Sequence, residues 1–527
     1  MSTHVRLLIV ASLTAAHASA QQWRPMSRGV ELSVRVEHDL EAPWRTCPPA
    51  IVRSADASEP PFRVLGFYDG DDTWRFRIHL PRPGRYAYEI SDASPLGGRG
   101  GTFTVDHAHP DDSIAVADDG THLTTADGRP FFWLADTAWN GVLKATDAEF
   151  ADYLSHRSRQ RFGVCQFVTT PWRGGRETLD RHPFAFDGPR WTGIDVEKLR
   201  RMDDRIVALN DAGIVAAPVM LWGLTAEDPG RALDENEAID LTRYQLARWG
   251  AYRCVWMLGG DCAYDDVRRW KRIGESLVAR GNWGPMRPLI TLHPNGLNHV
   301  ADEFADASWI GFWGYQSGHG VGEKDLEFFL GDELRTFPPP GGPRPIINLE
   351  PNYEDHPAYK TGIPHDAAAV RRAAWWSTLI HPTAGVTYGH NAVWVWNHAD
   401  GEPAENHGFI VDGYAAGLSP PGANDMTLLR DFYESGPWHD LWPIGVENPS
   451  TPRIETVVAA ATGDGRWTVA YTPAGRPVEL PDAPEPDATA TWIDPSTGRS
   501  LPAAGSKRTY DPPDANRDWV LSIRRTP

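Results

Sequence analysis

Two stretches of the chain run through β-type apolar residues and stop at a single carboxylate. One is Val255-Trp256-Met257-Leu258-Gly259-Gly260-Asp261; the other is Pro345-Ile346-Ile347-Asn348-Leu349-Glu350. If both strands belong to one parallel barrel, the two acids project from the same rim into one cleft. Two carboxylates flanking one bond suit glycosidic hydrolysis: one protonates the leaving oxygen, the other stabilises or captures the oxocarbenium-like centre. Asp261 is the expected acid/base and Glu350 the expected nucleophile. The carboxyl separation decides the outcome, about 5–5.5 Å for retention and about 6.5–9.5 Å for inversion, and retention is the expectation. A strand-end acid can instead cap a helix, and a helix beginning near Asp265 offers Asp261 that role. Glu350 precedes Pro351 and is a poorer cap; Asp265, Glu354 and Asp355 are the reserve carboxylates.

The elements that must hold these acids are legible as alternating strands and helices. Strands are predicted at Phe131–Ala135, Val164–Val168, Val215–Leu221, Cys254–Leu258, Leu289–Leu292, Trp309–Trp313, Ile346–Leu349 and Gly385–Tyr388. Helices are predicted at Ala148–Ser158, Glu197–Asp211 and Asp366–Leu379. Eight strands with helical crossovers predict a (β/α)8 barrel over residues 114–440. Residues at and just after its strands then line the functional rim. They supply Asp136, Trp139, Gln166, Trp172, Trp222, His293, Tyr315, Gln316, His390, Trp394 and Trp396 as candidate substrate-binding groups. Stacking rings beside hydroxyl-binding polar groups suit a sugar. Asp136 could also support the turn at Thr137-Ala138-Trp139, and His293 and His390 could be ordinary hydrogen-bonded rim residues. The long segments Arg173–Trp191 and Gly223–Glu235 are expected as pocket walls.

A chain of 527 residues exceeds one hydrophobic core. Residues 21–110 show short alternating runs, Thr73–Ile78 among them, separated by Gly, Pro and Asp clusters, as in a small β-sandwich. Residues 445–527 return to that pattern as a second all-β module. Residues 1–20 have a short apolar stretch ending Ala18-Ser19-Ala20, which predicts a secretory signal cleaved near Ala20 and a secreted or periplasmic protein. No later segment is apolar enough to span a bilayer. The net charge of −19 disfavours nucleic acid as a partner. A carbohydrate is the expected partner, and oligomeric state is left open. The 23 tryptophans fit either buried sandwich cores or sugar-stacking surfaces. The four cysteines show no metal-ligand spacing; Cys165 and Cys254 read as buried thiols, and a Cys254–Cys262 disulfide is not expected. A metal-dependent hydrolase would carry an HxH pair after the first strand, which here ends Ala135-Asp136-Thr137, so no metal or cofactor is expected. The rival reading is a carbohydrate- or matrix-binding protein whose barrel does not catalyse.

The chain resembles the apiosidase-like glycoside hydrolases. The matching stretches are Phe132-Trp133-Leu134-Ala135-Asp136-Thr137-Ala138-Trp139, Val255 to Asp261, Ile347-Asn348-Leu349-Glu350-Pro351, and Gly389-His390-Asn391 followed by Val393-Trp394-Val395-Trp396. Gly66-Phe67-Tyr68-Asp69-Gly70 and Trp74-Arg75-Phe76-Arg77 resemble the N-terminal β-sandwich usual for the family. Tyr471-Thr472-Pro473-Ala474-Gly475 resembles its C-terminal module, of the type labelled collagen-binding. The resemblance implies a secreted barrel glycosidase, exo-acting on a pentofuranoside such as apiose. It implies an acid/base on strand four, matching Asp261, and a nucleophile on strand seven, matching Glu350. Many related barrels carry Asn-Glu at strand four where this chain has Gly260-Asp261.

Overall fold

The computed structural model describes residues 21–56, 58–107, 109, 111–172, 182–278, 287–331, 334, 342–403, 410–446, 453–504 and 508–525. The expected signal at 1–20, and the 173–181 part of one expected pocket wall, lie outside the described residues.

Eight parallel strands form the central sheet: Trp133–Thr137, Val164–Val168, Val215–Trp222, Val255–Gly260, Leu289–Thr291, Trp313–Gln316, Ile346–Asn348 and Gly385–Gly389. Strand one lies between strands two and eight, and the order runs outward to strand five on one side and to strand six on the other, where the two-residue Asn298–His299 adds on antiparallel. Those ends meet where Ile290 bridges Ile310 in parallel and the Gly311 N–H donates to the Ile290 carbonyl at 2.8 Å. The result is the (β/α)8 barrel. Strands one to four are buried at every position. That is why they read as unbroken apolar runs and not as alternating ones.

The helices start where their caps stand. Thr146 and Glu149 form a capping box for Asp147–Arg159, and Asp195 accepts from the Lys198 N–H to open Val196–Asp211. That helix buries Leu199, Met202, Ile206 and Leu209, a stripe at helical spacing. Asp366 caps Ala367–Leu379.

Strand one is shifted by two residues from the expected Phe131–Ala135, and strand six by four. The apolar run Trp309–Trp313 is mostly the approach to strand six, since the Ile310 N–H turns back to the Ala307 carbonyl at 3.2 Å. A short apolar run does not distinguish a strand from a buried turn. The strand therefore starts at Trp313, and its rim residues are Ser317, Gly318 and His319.

The N-terminal strands Gln21–Met26, Gly29–Arg35, Pro49–Ser54, Phe62–Tyr68, Thr73–Ile78, Gly84–Ile90 and Gly100–Val105 are hydrogen-bonded in one sheet order. Phe62–Tyr68 joins its halves, pairing through Phe62–Leu65 with Pro49–Val52 and through Gly66–Tyr68 with Trp74–Phe76. A separate core of Val30, Leu32, Val34, Trp74 and Phe76 holds it. Buried charges lock it to the barrel. Arg77 reaches Glu31 at 2.9 Å and Asp203 at 2.6 Å, while Arg248 reaches Asp203 at 2.7 Å and Asp69 at 2.9 Å. A six-stranded antiparallel sheet begins at Leu441–Ile444 and ends at Trp519–Arg525. It is tied to the barrel helix Ala367–Leu379 through Arg371 and Asp518 at 2.7 Å. All four cysteines are free thiols.

Candidate functional site

Asp261 directly follows strand four. The two glycines before it are required by packing: a Cβ on Gly260 would lie 2.4 Å from Val219 Cγ1, and one on Gly259 2.8 Å from the Tyr264 hydroxyl. The chain then turns into the left-handed region at Asp261, φ +47°, a conformation Asp and Asn tolerate better than most residues. This turn half-buries the side chain at the barrel rim. Asp261 does not cap the next helix. Val267–Val278 is capped by Asp266, whose Oδ1 accepts from the Arg269 N–H at 3.0 Å.

Glu350 follows strand seven and is buried, with 7% of its surface exposed. His319 Nε2 donates to its Oε1 at 3.0 Å, and His293 Nε2 lies 3.3 Å from its Oε2. The backbone is held equally firmly. The Gly318 N–H donates to the Glu350 carbonyl at 3.1 Å, and Asn348 Oδ1 accepts from both the Glu350 and Ser317 N–H groups. Gly318 sits at φ +70°, the left-handed turn that aims His319 back at Glu350.

His293 links the two acids. Its Nδ1 accepts from the Asp261 main-chain N–H at 3.4 Å, while its Nε2 faces Glu350. Burial lowers the His293 pKa, with the Glu350 charge opposing. The buried Tyr353 phenol feels both acids: burial first, then the Glu350 charge and more weakly that of Asp261, hold its pKa well above the usual range. Its hydroxyl donates to Thr137 Oγ1 at 3.2 Å. Asp261 and Glu350 thus share two neighbours, His293 and Tyr353.

An aromatic wall stands beside them. Trp139, Trp222, Trp172 and Trp394 make successive edge-on contacts at 5.5, 4.8 and 5.9 Å, and Trp139 also meets His293 at 5.5 Å. Gln316 lies at the rim, paired with Asn298.

Five candidate binding residues are placed otherwise. Asp136 is fully buried and its carboxylate is taken by Arg157 at 2.7 Å and the Tyr153 hydroxyl at 2.8 Å, an ion pair that fastens the first crossover. Gln166 lies in the barrel interior and joins strands, donating to the Leu349 carbonyl at 3.1 Å and accepting from Thr387 Oγ1 at 2.9 Å. Tyr315 turns to the helical layer, where it meets His381 and Phe329. His390 caps the short helix Asn391–Val395, accepting from the Ala392 N–H at 3.1 Å, and burial lowers its pKa to about 3. Trp396 is stacked flat on Tyr414 at 5.1 Å and has no exposed face. Asp136, Gln166 and Tyr315 lie within strands one, two and six, and His390 and Trp396 flank the helix after strand eight.

His319 escapes the sequence reading because a strand six at Trp309–Trp313 ends its rim at Gln316. The Ser317-Gly318-His319-Gly320 run is its one signal. His356, 4.3 Å from His319 and 6.2 Å from Trp394, extends the same pocket and has no signal in the sequence.

Among the described residues no group of three or more His, Cys, Asp or Glu could hold a metal ion, and no helix is long and apolar enough to cross a membrane.

The sequence profile of the apiosidase-like catalytic domain matches residues 117–440, and the profile described as "Putative collagen-binding domain of a collagenase" matches residues 446–524. None of the curated proteins matches the chain. Among solved structures, a glycoside hydrolase family 5 protein from Bacteroides vulgatus superposes with a TM-score of 0.67 at 22% identity, covering 79% of this chain and 93% of its own. Another, described as a glycoside hydrolase, gives 0.68 at 21% identity over 79% and 97%. These likenesses carry the fold, and the profile match over most of the chain carries the family. The chain belongs to the apiosidase-like family and is a glycoside hydrolase.

Proposed function

We propose that this protein is a secreted, exo-acting glycosidase that releases a pentofuranosyl unit such as apiose from a plant-type or microbial polysaccharide or oligosaccharide, with retention of configuration. The observation that carries the assignment of roles is the environment of the two acids. Glu350 accepts a hydrogen bond from His319 Nε2 and lies 3.3 Å from His293 Nε2, an environment that favours the carboxylate and suits a nucleophile. Asp261 is more open, on a turn that lets its carboxyl reach a leaving oxygen. A single imidazole spans the gap between the Asp261 backbone and Glu350, which favours the short separation of a retaining pair. The tight burial of Glu350 and of the indole wall favours a pocket that receives a chain end over an open groove.

In the first step the Asp261 carboxyl gives its proton to the glycosidic oxygen as the C1–O bond breaks, and Glu350 bonds to C1. In the second, Asp261 takes a proton from water as that oxygen attacks C1 and Glu350 departs as carboxylate. The direct test is incubation with pectic and hemicellulosic oligosaccharides, identifying the released monosaccharide and its first-formed anomer by NMR. A released furanose-forming pentose in the substrate's own configuration is the expected product. A hexose, an internal cut or an inverted anomer overturns the corresponding part.

A further inference from the structure

We infer that the opposite end of the barrel carries a second, non-catalytic saccharide site, built on Trp442 and Arg344, for an acidic sugar residue of a polysaccharide chain. Trp442 lies on Leu441–Ile444, an edge strand of the C-terminal sheet, and is 48% exposed, the one exposed tryptophan among the described residues. It borders a recess of about 230 Å3 that Arg344, Pro382 and Pro443 also line. Arg344 stands just ahead of strand seven and Pro382 just ahead of strand eight, so the recess opens on the face away from Asp261 and Glu350.

The Arg344 guanidinium lies 4.7 Å over the Trp313 ring, which fixes its plane. Its NH1 is buried with no hydrogen-bond partner among the described residues, in a chain whose 70 acids outnumber 51 bases. Arg344 is the one arginine or lysine that lines the recess, and no aspartate or glutamate lines it, so an acidic ligand there meets a cation without a competing carboxylate. A flat ring suits the C–H face of a sugar, and a guanidinium matches a carboxylate with two parallel hydrogen bonds. Together in one recess they select a uronic acid over a neutral sugar. Such a site would hold a polymer against the enzyme without touching the reacting bond.

The test uses the full chain with polygalacturonate and with its methyl-esterified form as probes, read by affinity electrophoresis and titration calorimetry. Wild type is expected to bind polygalacturonate and to bind the esterified polymer at least about tenfold more weakly. Trp442→Ala and Arg344→Gln should each weaken polygalacturonate binding at least about tenfold, with melting temperature and turnover of a small aryl glycoside unchanged. Trp442→Ala removes a ring already half in water, and Arg344→Lys keeps the charge if Arg344→Gln lowers the melting temperature. Wild type that does not bind polygalacturonate, or both variants binding as wild type does, overturns the site. Equal affinity for the two polymers overturns the acidic-sugar assignment. Because binding is read without turnover, the result is independent of the catalytic assignment.

Discussion

Asp261→Asn isolates one proton. The residue occupies the left-handed region at φ +47°, which Asn enters as readily as Asp. Its contact with His293 is made by the main-chain N–H and survives the change. The variant therefore keeps the turn, the neighbouring imidazole and almost the same volume, and loses the ability to protonate a leaving oxygen. General-acid help is worth about 10²–10⁴-fold, or about 2.7–5.4 kcal/mol of barrier. That full loss is expected in kcat/KM for a natural linkage, whose alkoxide leaves poorly. For an aryl glycoside of a strongly acidic phenol the leaving group needs no proton, and the loss in the first step should shrink below about tenfold. The second step still lacks its base. Phenol release should then show a burst, and azide, a nucleophile that needs no base, should restore turnover. The assay is steady-state and burst kinetics across a series of phenols, with and without azide. Asp261→Ala serves as the contrast: Ala in the left-handed region costs roughly 1–2 kcal/mol, so its melting temperature should fall where that of Asp261→Asn does not. Wild-type kcat/KM in Asp261→Asn on an unactivated linkage, or an equal loss for every leaving group with no azide response, refutes the acid/base role.

Glu350→Gln should abolish turnover for all leaving groups, on the order of 10⁴-fold or more, without azide-dependent return to the retained product; measurable turnover near wild type removes it as the nucleophile. Its amide also removes the charge from the group that accepts from His319 Nε2 at 3.0 Å, so a lowered melting temperature should accompany the loss. Burial depresses the pKa of His79 to about 4 and of His182 and His390 to about 3. The unfolded chain takes up these protons near pH 6.5 and the fold does not, so their contribution is whole above that pH and shrinks below it, by about 1.4 kcal/mol per pH unit for each ring. Melting temperature should accordingly fall between about pH 7.5 and 5.5, and a flat profile contradicts their burial as neutral rings. Asp203→Asn leaves Arg77 and Arg248 facing each other without their shared carboxylate, which should cost about 3–5 kcal/mol by denaturant titration; a change under about 1 kcal/mol would show that this carboxylate does not hold the N-terminal sheet to the barrel.

Sequence pattern carries the barrel because parallel strands buried on both faces must be apolar throughout, and each such run here ends where the rim begins. The predicted Val164–Val168 and Thr73–Ile78 match their strands to the residue. The errors have one physical source. Position along a strand is encoded in composition, but the direction of a side chain depends on where pairing starts and on what packs outside. Strand six starts at Trp313 and not at Trp309, and that four-residue difference moves the rim from Gly314-Tyr315-Gln316 to Ser317-Gly318-His319. Tyr315 then faces the helices while His319 reaches Glu350. Asp136 shows the same limit in another form. In the sequence it reads as an acid after a strand, like Asp261, but the strand runs on to Thr137, and Arg157 and Tyr153 from the adjoining helix take its carboxylate as scaffold. The two acids differ in the segment that comes after each. Asp136 is succeeded by a helix that brings a cation back to the strand end. Beyond Asp261 the next helix is capped by Asp266, which relieves Asp261 of that duty. A strand-end carboxylate whose capping work is done by a neighbour can be placed by the chemistry of the pocket, and the left-handed turn at Asp261 is where the chain makes that placement.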